Sequence, residues 1–71
     1  MPKQTKQKAI ARLELFVVDP IDYRLGNHPL AGWWTGYRSI DITGDIRAVY
    51  KEADEHVAYF VAIGSHSELY E

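Results

Sequence analysis

At 71 residues and 8.2 kDa, the chain has room for one small domain, residues 1–71, with a modest core and a thin stability margin, so a partner or a second copy is expected. It has no cysteine, which excludes a disulfide framework and a thiolate zinc site and favours the cytoplasm over secretion. The net charge of −2 hides an asymmetry: Lys3, Lys6, Lys8 and Arg12 precede the first acid, and all ten carboxylates come after them.

A basic helix aimed at phosphates and an ordinary solvated helix face both fit that N-terminal arm. It reads KQTKQKAIARLELFVV from Lys3, with good helix formers throughout. Ile10, Leu13 and Val17, and then Ala9 and Phe16, recur at three- and four-residue spacing. This predicts one amphipathic helix ending near Asp19, because Pro20 disfavours helical geometry in the residue before it. The longest apolar runs, such as VAYFVAI, are strand-sized, so neither a signal peptide nor a spanning segment is read.

IDYRLGNHPLAGWWTG follows as a connecting loop, shaped by Pro29 and by Gly26, Gly32 and Gly36. Of Trp33 and Trp34, one ring is expected to cover the seam between helix and sheet and the other to lie on the surface. The period then changes to two. Tyr37–Ile42 reads as a strand, Thr43 and Gly44 as a tight turn, Ile46–Lys51 as a second strand, EADE as a polar turn, and His56–Ile63 as a third strand. The expected fold is α+β: one N-terminal amphipathic helix packed on a three-stranded antiparallel β-meander. Alternation puts Arg38 with Ile40 and Ile42, and Tyr37, Ser39 and Asp41 on the other face. In the third strand it sets Val57, Tyr59, Val61 and Ile63 against Ala58, Phe60 and Ala62.

His28, His56 and His66 lie far apart with no paired metal-ligand spacing, so no metal and no cofactor are expected. His56 reads as an exposed strand starter. No glycine-flanked nucleophile and no phosphate-cradling glycine loop is present. His66 stands directly after the third strand, where Gly64 interrupts the ladder. It is either part of a capped final helical turn or a proton-transfer group near neutral pH, and local chemistry alone leaves both open.

Taken together, NHPLAGWWTGYRSIDI, a hairpin carrying Asp45 and Tyr50, and a terminal IGSHSELY closely resemble the C-terminal part of the RelE/ParE superfamily of type II toxins, especially its YafQ-like branch. The resemblance covers about three quarters of the chain in order and spacing. It implies a toxin regulated by a cognate antitoxin and acting as a metal-independent mRNA interferase on the ribosome. It also implies roles: His66 as the main proton-transfer group, His28 as its partner, Asp45 as a residue orienting or sharing the proton work, and Tyr70 as a stacking platform for a base.

The chain departs from that branch at Asp41, where a histidine is common, at Ile46, in place of tryptophan, and at Ala62, in place of arginine. Losing the arginine removes a cation for the phosphate. Arg38 or Arg47 would be the substitutes on the RNA, although alternation sends both to the opposite face. The family's first strand and first helix have no counterpart in this sequence, which leaves an expected exposed sheet edge and a homo-oligomer formed through it. The rivals are a non-enzymatic relative of the ParE type acting on gyrase and an antitoxin-binding remnant without activity.

Overall fold

A computed structural model describes residues 2–70. The element order is α1 (Lys3–Val18), β1 (His28–Pro29), β2 (Arg38–Asp41), β3 (Ile46–Asp54), β4 (Val57–Ser65) and α2 (His66–Tyr70), with two 3-10 turns, Tyr23–Leu25 and Gly32–Trp34, flanking β1. The helix ends where expected: the Asp19 amide donates to the Leu15 carbonyl at 2.8 Å, and Asp19 itself is extended ahead of Pro20. Its buried stripe is narrower than the sequence pattern promised. Ala9 is buried, and Leu13 and Phe16 pack partly against the core, whereas Ile10 and Val17 stay exposed, Val17 at 81%.

The sheet has four strands in the order β1-β2-β3-β4, all antiparallel. The three-strand expectation therefore misses one: His28 and Pro29 pair with Ser39 and Arg38. Two residues are too few to leave a period in the sequence, and Pro29, which lacks an N–H, fits only such an edge position. The second strand runs on to Asp54, so most of EADE is ladder rather than turn. The β3–β4 turn falls at Glu55 and His56.

The α1-side core consists of Ala9, Leu25, Ile40, Ile42, Ala48 and Tyr50. Leu25 is fully buried, a contribution of about 2 kcal/mol. Leu25 reaches that position because the loop is tied down. Asp22 caps its turn by accepting from the Arg24 amide at 2.9 Å. The Asn27 side-chain amide donates to the Pro20 carbonyl at 2.8 Å and to the Tyr50 hydroxyl at 2.7 Å, while its carbonyl oxygen accepts from Arg38 Nε at 2.8 Å. Gly26 closes the turn at φ 55°, and a Cβ there would collide with the Asp41 carboxylate.

The face away from α1 is covered as well, which the two-layer expectation did not foresee. Ser39 and Val49, opposite one another in register, are both 0% exposed. α2 packs against β4, Leu69 is buried, and Trp34 Nε1 donates to the Leu69 carbonyl at 2.8 Å. Trp33 lies on the surface, as expected of one of the pair. Trp34 braces the short α2 rather than the seam beneath α1. Among the described residues no helix is long and apolar enough to cross a membrane.

Candidate functional site

The residues that matter converge on the face away from α1, and register explains how. Cross-strand partners share a face, so the pairs His28–Ser39, Ser39–Val49 and Asp41–Arg47 put His28, Asp41 and Arg47 on one side of the sheet. β4 ends beside Arg47, its last residue, Ser65, pairing with core-facing Ile46, and the next residue, His66, shares the lining of one pocket with Arg47. The result is a pocket of about 230 Å³ lined by His28, Leu30, Ala31, Arg47, His66 and Tyr70.

Each polar member is positioned by a local device. His28 Nδ1 lies 2.8 Å from the Gly26 carbonyl. A carbonyl only accepts, so the proton sits on Nδ1 and Nε2 keeps its lone pair when the ring is neutral. His66 opens α2 behind a capping box: the Ser65 amide donates to Glu68 Oε1 at 2.8 Å, and the Glu68 amide donates to Ser65 Oγ at 3.3 Å. Hydrogen bonding from Ser65, chiefly by its backbone amide and then by its hydroxyl, holds the Glu68 carboxyl below the usual carboxylate range. The His66 ring meets Tyr70 edge-on at 4.6 Å, one helical turn away. Both alternatives left open for His66 are therefore compatible: it sits in a capped turn, and that turn aims it into a pocket.

Arg47 contradicts the alternation argument. It was expected on the opposite face, yet it lines the pocket and is ion-paired to Asp41 through Nη1 and Oδ1. The second strand alternates from Ile46, a core-facing position, so Arg47 faces the other way. Arg38, by contrast, is on the α1 side, bonded to Asn27 and lining a separate cleft. It is not brought to His28 and His66. Nor is Asp45, which is exposed in the β2–β3 turn, its amide donating to Thr43 Oγ1 at 3.2 Å. The signal that the sequence reading missed is the Asp41–Arg47 pair, six residues apart across a tight turn, a spacing that makes them cross-strand partners.

Among the described residues no three His, Asp or Glu side chains cluster as a metal would require. On the α1 side a larger open cleft of about 810 Å³ has an apolar floor that includes Leu13, Phe16, Tyr50 and Phe60. Two hydroxyls beneath the sheet's other face, Ser39 Oγ and Tyr70 OH, are buried without partners.

An N-terminal helix over a four-stranded antiparallel sheet is a YafQ-like α+β architecture. The family described as the bacterial toxin of type II toxin–antitoxin systems, YafQ, matches residues 2–71. The chain belongs to this family and is the toxin component of such a system, which implies a cognate antitoxin as its partner.

Among solved structures, YafQ from E. coli strain BL21(DE3) superposes with a TM-score of 0.74 at 22% identity, over 92% of this chain and 74% of that one. A conserved hypothetical protein from Helicobacter pylori gives 0.60 at 30% identity, over 86% and 70%. A mutant toxin from Helicobacter pylori, solved in a copper-bound form, gives 0.58 at 26% identity, over 90% and 89%. No curated protein matches the chain.

Proposed function

We propose that this toxin cleaves messenger RNA on the translating ribosome, with the His28–Arg47–His66–Tyr70 pocket as its site. The observation that carries the reading is the convergence of two imidazoles and a guanidinium on one small pocket from three separate elements. Transesterification of RNA requires a base for the 2′-OH proton, an acid for the leaving 5′ oxygen, and positive charge for the phosphorane between them.

His28 accepts the 2′-OH proton on Nε2, the nitrogen not engaged by Gly26. The 2′ oxygen bonds to phosphorus, the bond from phosphorus to the 5′ oxygen breaks, and protonated His66 supplies the proton to that oxygen. The products are a 2′,3′-cyclic phosphate and a free 5′-OH. Arg47 takes the electrostatic role left open by Ala62, and Tyr70 stacks on a base beside the scission point. Asp41 holds the Arg47 guanidinium at the pocket mouth before RNA arrives. Asp45, outside the lining, acts at most by steering the approach of the substrate.

A toeprinting assay on translating ribosomes tests this. A-site cleavage is expected from the wild type and its loss from His66→Ala. Robust cleavage by His66→Ala sinks the mechanism, and no cleavage by the wild type sinks the enzyme reading. The non-enzymatic alternative, a gyrase-directed or merely antitoxin-binding protein, draws on one feature: Arg47 is already neutralised by Asp41. Gyrase inhibition by the wild type without RNA cleavage would establish it.

A further inference from the structure

Of the two helices only α2 lends residues to the pocket, and it is too short to hold itself. His66–Tyr70 spans five residues, well below the length at which a helix persists alone in water, so its place is set by what it touches. The Ser65–Glu68 capping box holds its start, and Leu69 anchors its buried side. Its far end carries the carbonyls that a helix terminus leaves without an intrahelical donor. One of them, the Leu69 carbonyl, takes the indole N–H of Trp34 at 2.8 Å.

The donor comes from another wall of the same pocket. Leu30 and Ala31, which line it, lead directly into the 3-10 turn Gly32–Trp34. That loop is stiffened by its own hydrogen bonds. The Leu30 amide donates to the Tyr37 carbonyl at 2.9 Å, the Tyr37 amide to the Trp34 carbonyl at 3.0 Å, and the Thr35 hydroxyl to the Gly32 carbonyl at 2.7 Å. Tyr37 braces the indole edge-on at 5.3 Å. Trp34 therefore ties the segment that carries His28, Leu30 and Ala31 to the helix that carries His66 and Tyr70.

Proton transfer at both ends of one phosphodiester needs the two imidazoles at a set separation, and a misplacement of about 1 Å can cost on the order of a hundredfold in rate. The capping box fixes where α2 begins, and the Trp34 bond fixes how its end lies against the loop after His28. Tyr70 follows Leu69 directly, and its edge-on contact with the His66 ring at 4.6 Å carries the constraint back to the imidazole.

We propose that Trp34 is a positioning residue for the cleavage described above, a role that rests on the nuclease reading of the pocket. Its indole N–H, by holding the Leu69 carbonyl, sets the separation of His66 from His28 and the tilt of Tyr70. Trp33, its neighbour in sequence, is 87% exposed and takes no such part.

Trp34→Phe keeps an aromatic ring beside Tyr37 and removes the donor, with Trp33→Phe as the control. Cleavage per folded molecule on translating ribosomes should fall roughly tenfold in Trp34→Phe and stay at the wild-type level in Trp33→Phe. In the free protein, without RNA, the His66 ring-proton NMR signals should move in Trp34→Phe as the Tyr70 contact loosens, while those of exposed His56 stay in place. A Trp34 that served stability alone would lower the melting temperature and leave both readouts unchanged. Unmoved His66 signals overturn the proposal whatever the ribosomes show, and so does full cleavage per folded molecule. A wild type that does not cleave sinks the nuclease reading and with it this role in cleavage, and the His66 signals, read without RNA, tell the two failures apart. If Trp34→Phe does not fold, hydrogen exchange of the wild-type indoles decides: a Trp34 Nε1 proton protected roughly tenfold or more over that of Trp33 supports the proposal, and equally fast exchange overturns it.

Discussion

The two cavities of this molecule differ in the opposite sense from their sizes. The cleft beside α1, about 810 Å³, is apolar in its floor, and its polar lining is Glu52, Asp54, Glu55 and His56, with Arg38 already bonded to Asn27. The pocket by α2 is about 230 Å³, yet two imidazoles and a guanidinium meet there. Volume follows from how little of the sheet one 16-residue helix can cover. Chemistry follows from register, which collects side chains from three elements on the other face. On the proposed reading, the smaller hollow is the one that serves the reaction.

The most direct way to break that distinction is to disable the pocket and watch the cleft. His66→Ala should lower cleavage roughly a hundredfold or more while leaving thermal unfolding close to wild type, since its ring contact is to Tyr70 alone among the aromatics. Cleavage is read by toeprinting and stability by calorimetry. Arg47→Ala should cost on the order of a hundredfold. Asp41→Asn, which frees the same guanidinium, should cost less than Arg47→Ala. If Asp41→Asn proves the more damaging of the two, the carboxylate rather than the arginine serves the reaction.

The cleft should give the converse pattern. Phe16 packs edge-on to Tyr50 at 4.9 Å and to Phe60 at 5.3 Å, so Phe16→Ala is expected to cost about 2 kcal/mol of stability. Cleavage per folded molecule should be unchanged. A large loss of activity at constant stability would mean that the two cavities are coupled through the sheet.

Smaller effects sharpen the role of α2. Removing the cap with Ser65→Ala should cost about 1 kcal/mol locally, seen as faster amide exchange in residues 66–70 and a modest drop in cleavage as His66 loses its bearing. The same cap should respond to acid. The Glu68 carboxyl is held below its ordinary value of 4.5, so its contribution is complete above that value and fades as pH falls through the lower folded-state value. Amide exchange in α2 should rise over that acidic range in the wild type and lose this dependence in Glu68→Gln.

Much of the site was legible in the sequence because it depends on local chemistry. His28 lies two residues after Gly26, which takes a positive φ, and His66 sits inside an S-x-x-E capping box. Gly64, expected to interrupt the ladder, instead pairs with Arg47 within β4, which runs on to Ser65. Arg47 was not legible, and neither was the burial of Ser39. A strand pattern sorts residues into two faces without saying which face a distant histidine joins, and nothing in TGDIRAVY reveals that α2 and Trp34 will close over Val49.

What the sequence determined by itself are the features set by neighbours within a few residues: the extent of α1 up to Pro20, the three long strands, and the toxin-family resemblance carried by NHPLAGWWTGYR and IGSHSELY. Tertiary structure alone decided the rest. It recruited His28–Pro29 as a fourth strand, since a two-residue strand exists only when another strand offers it hydrogen bonds. It also reassigned the faces of β4. The register shift that leaves Val61 without an opposite residue places Ile63 across from core-facing Ala48 and Ala62 across from Val49. One extra residue in a strand inverts every side chain beyond it, and whether that residue is accommodated depends on the partner strand, which the local sequence does not contain.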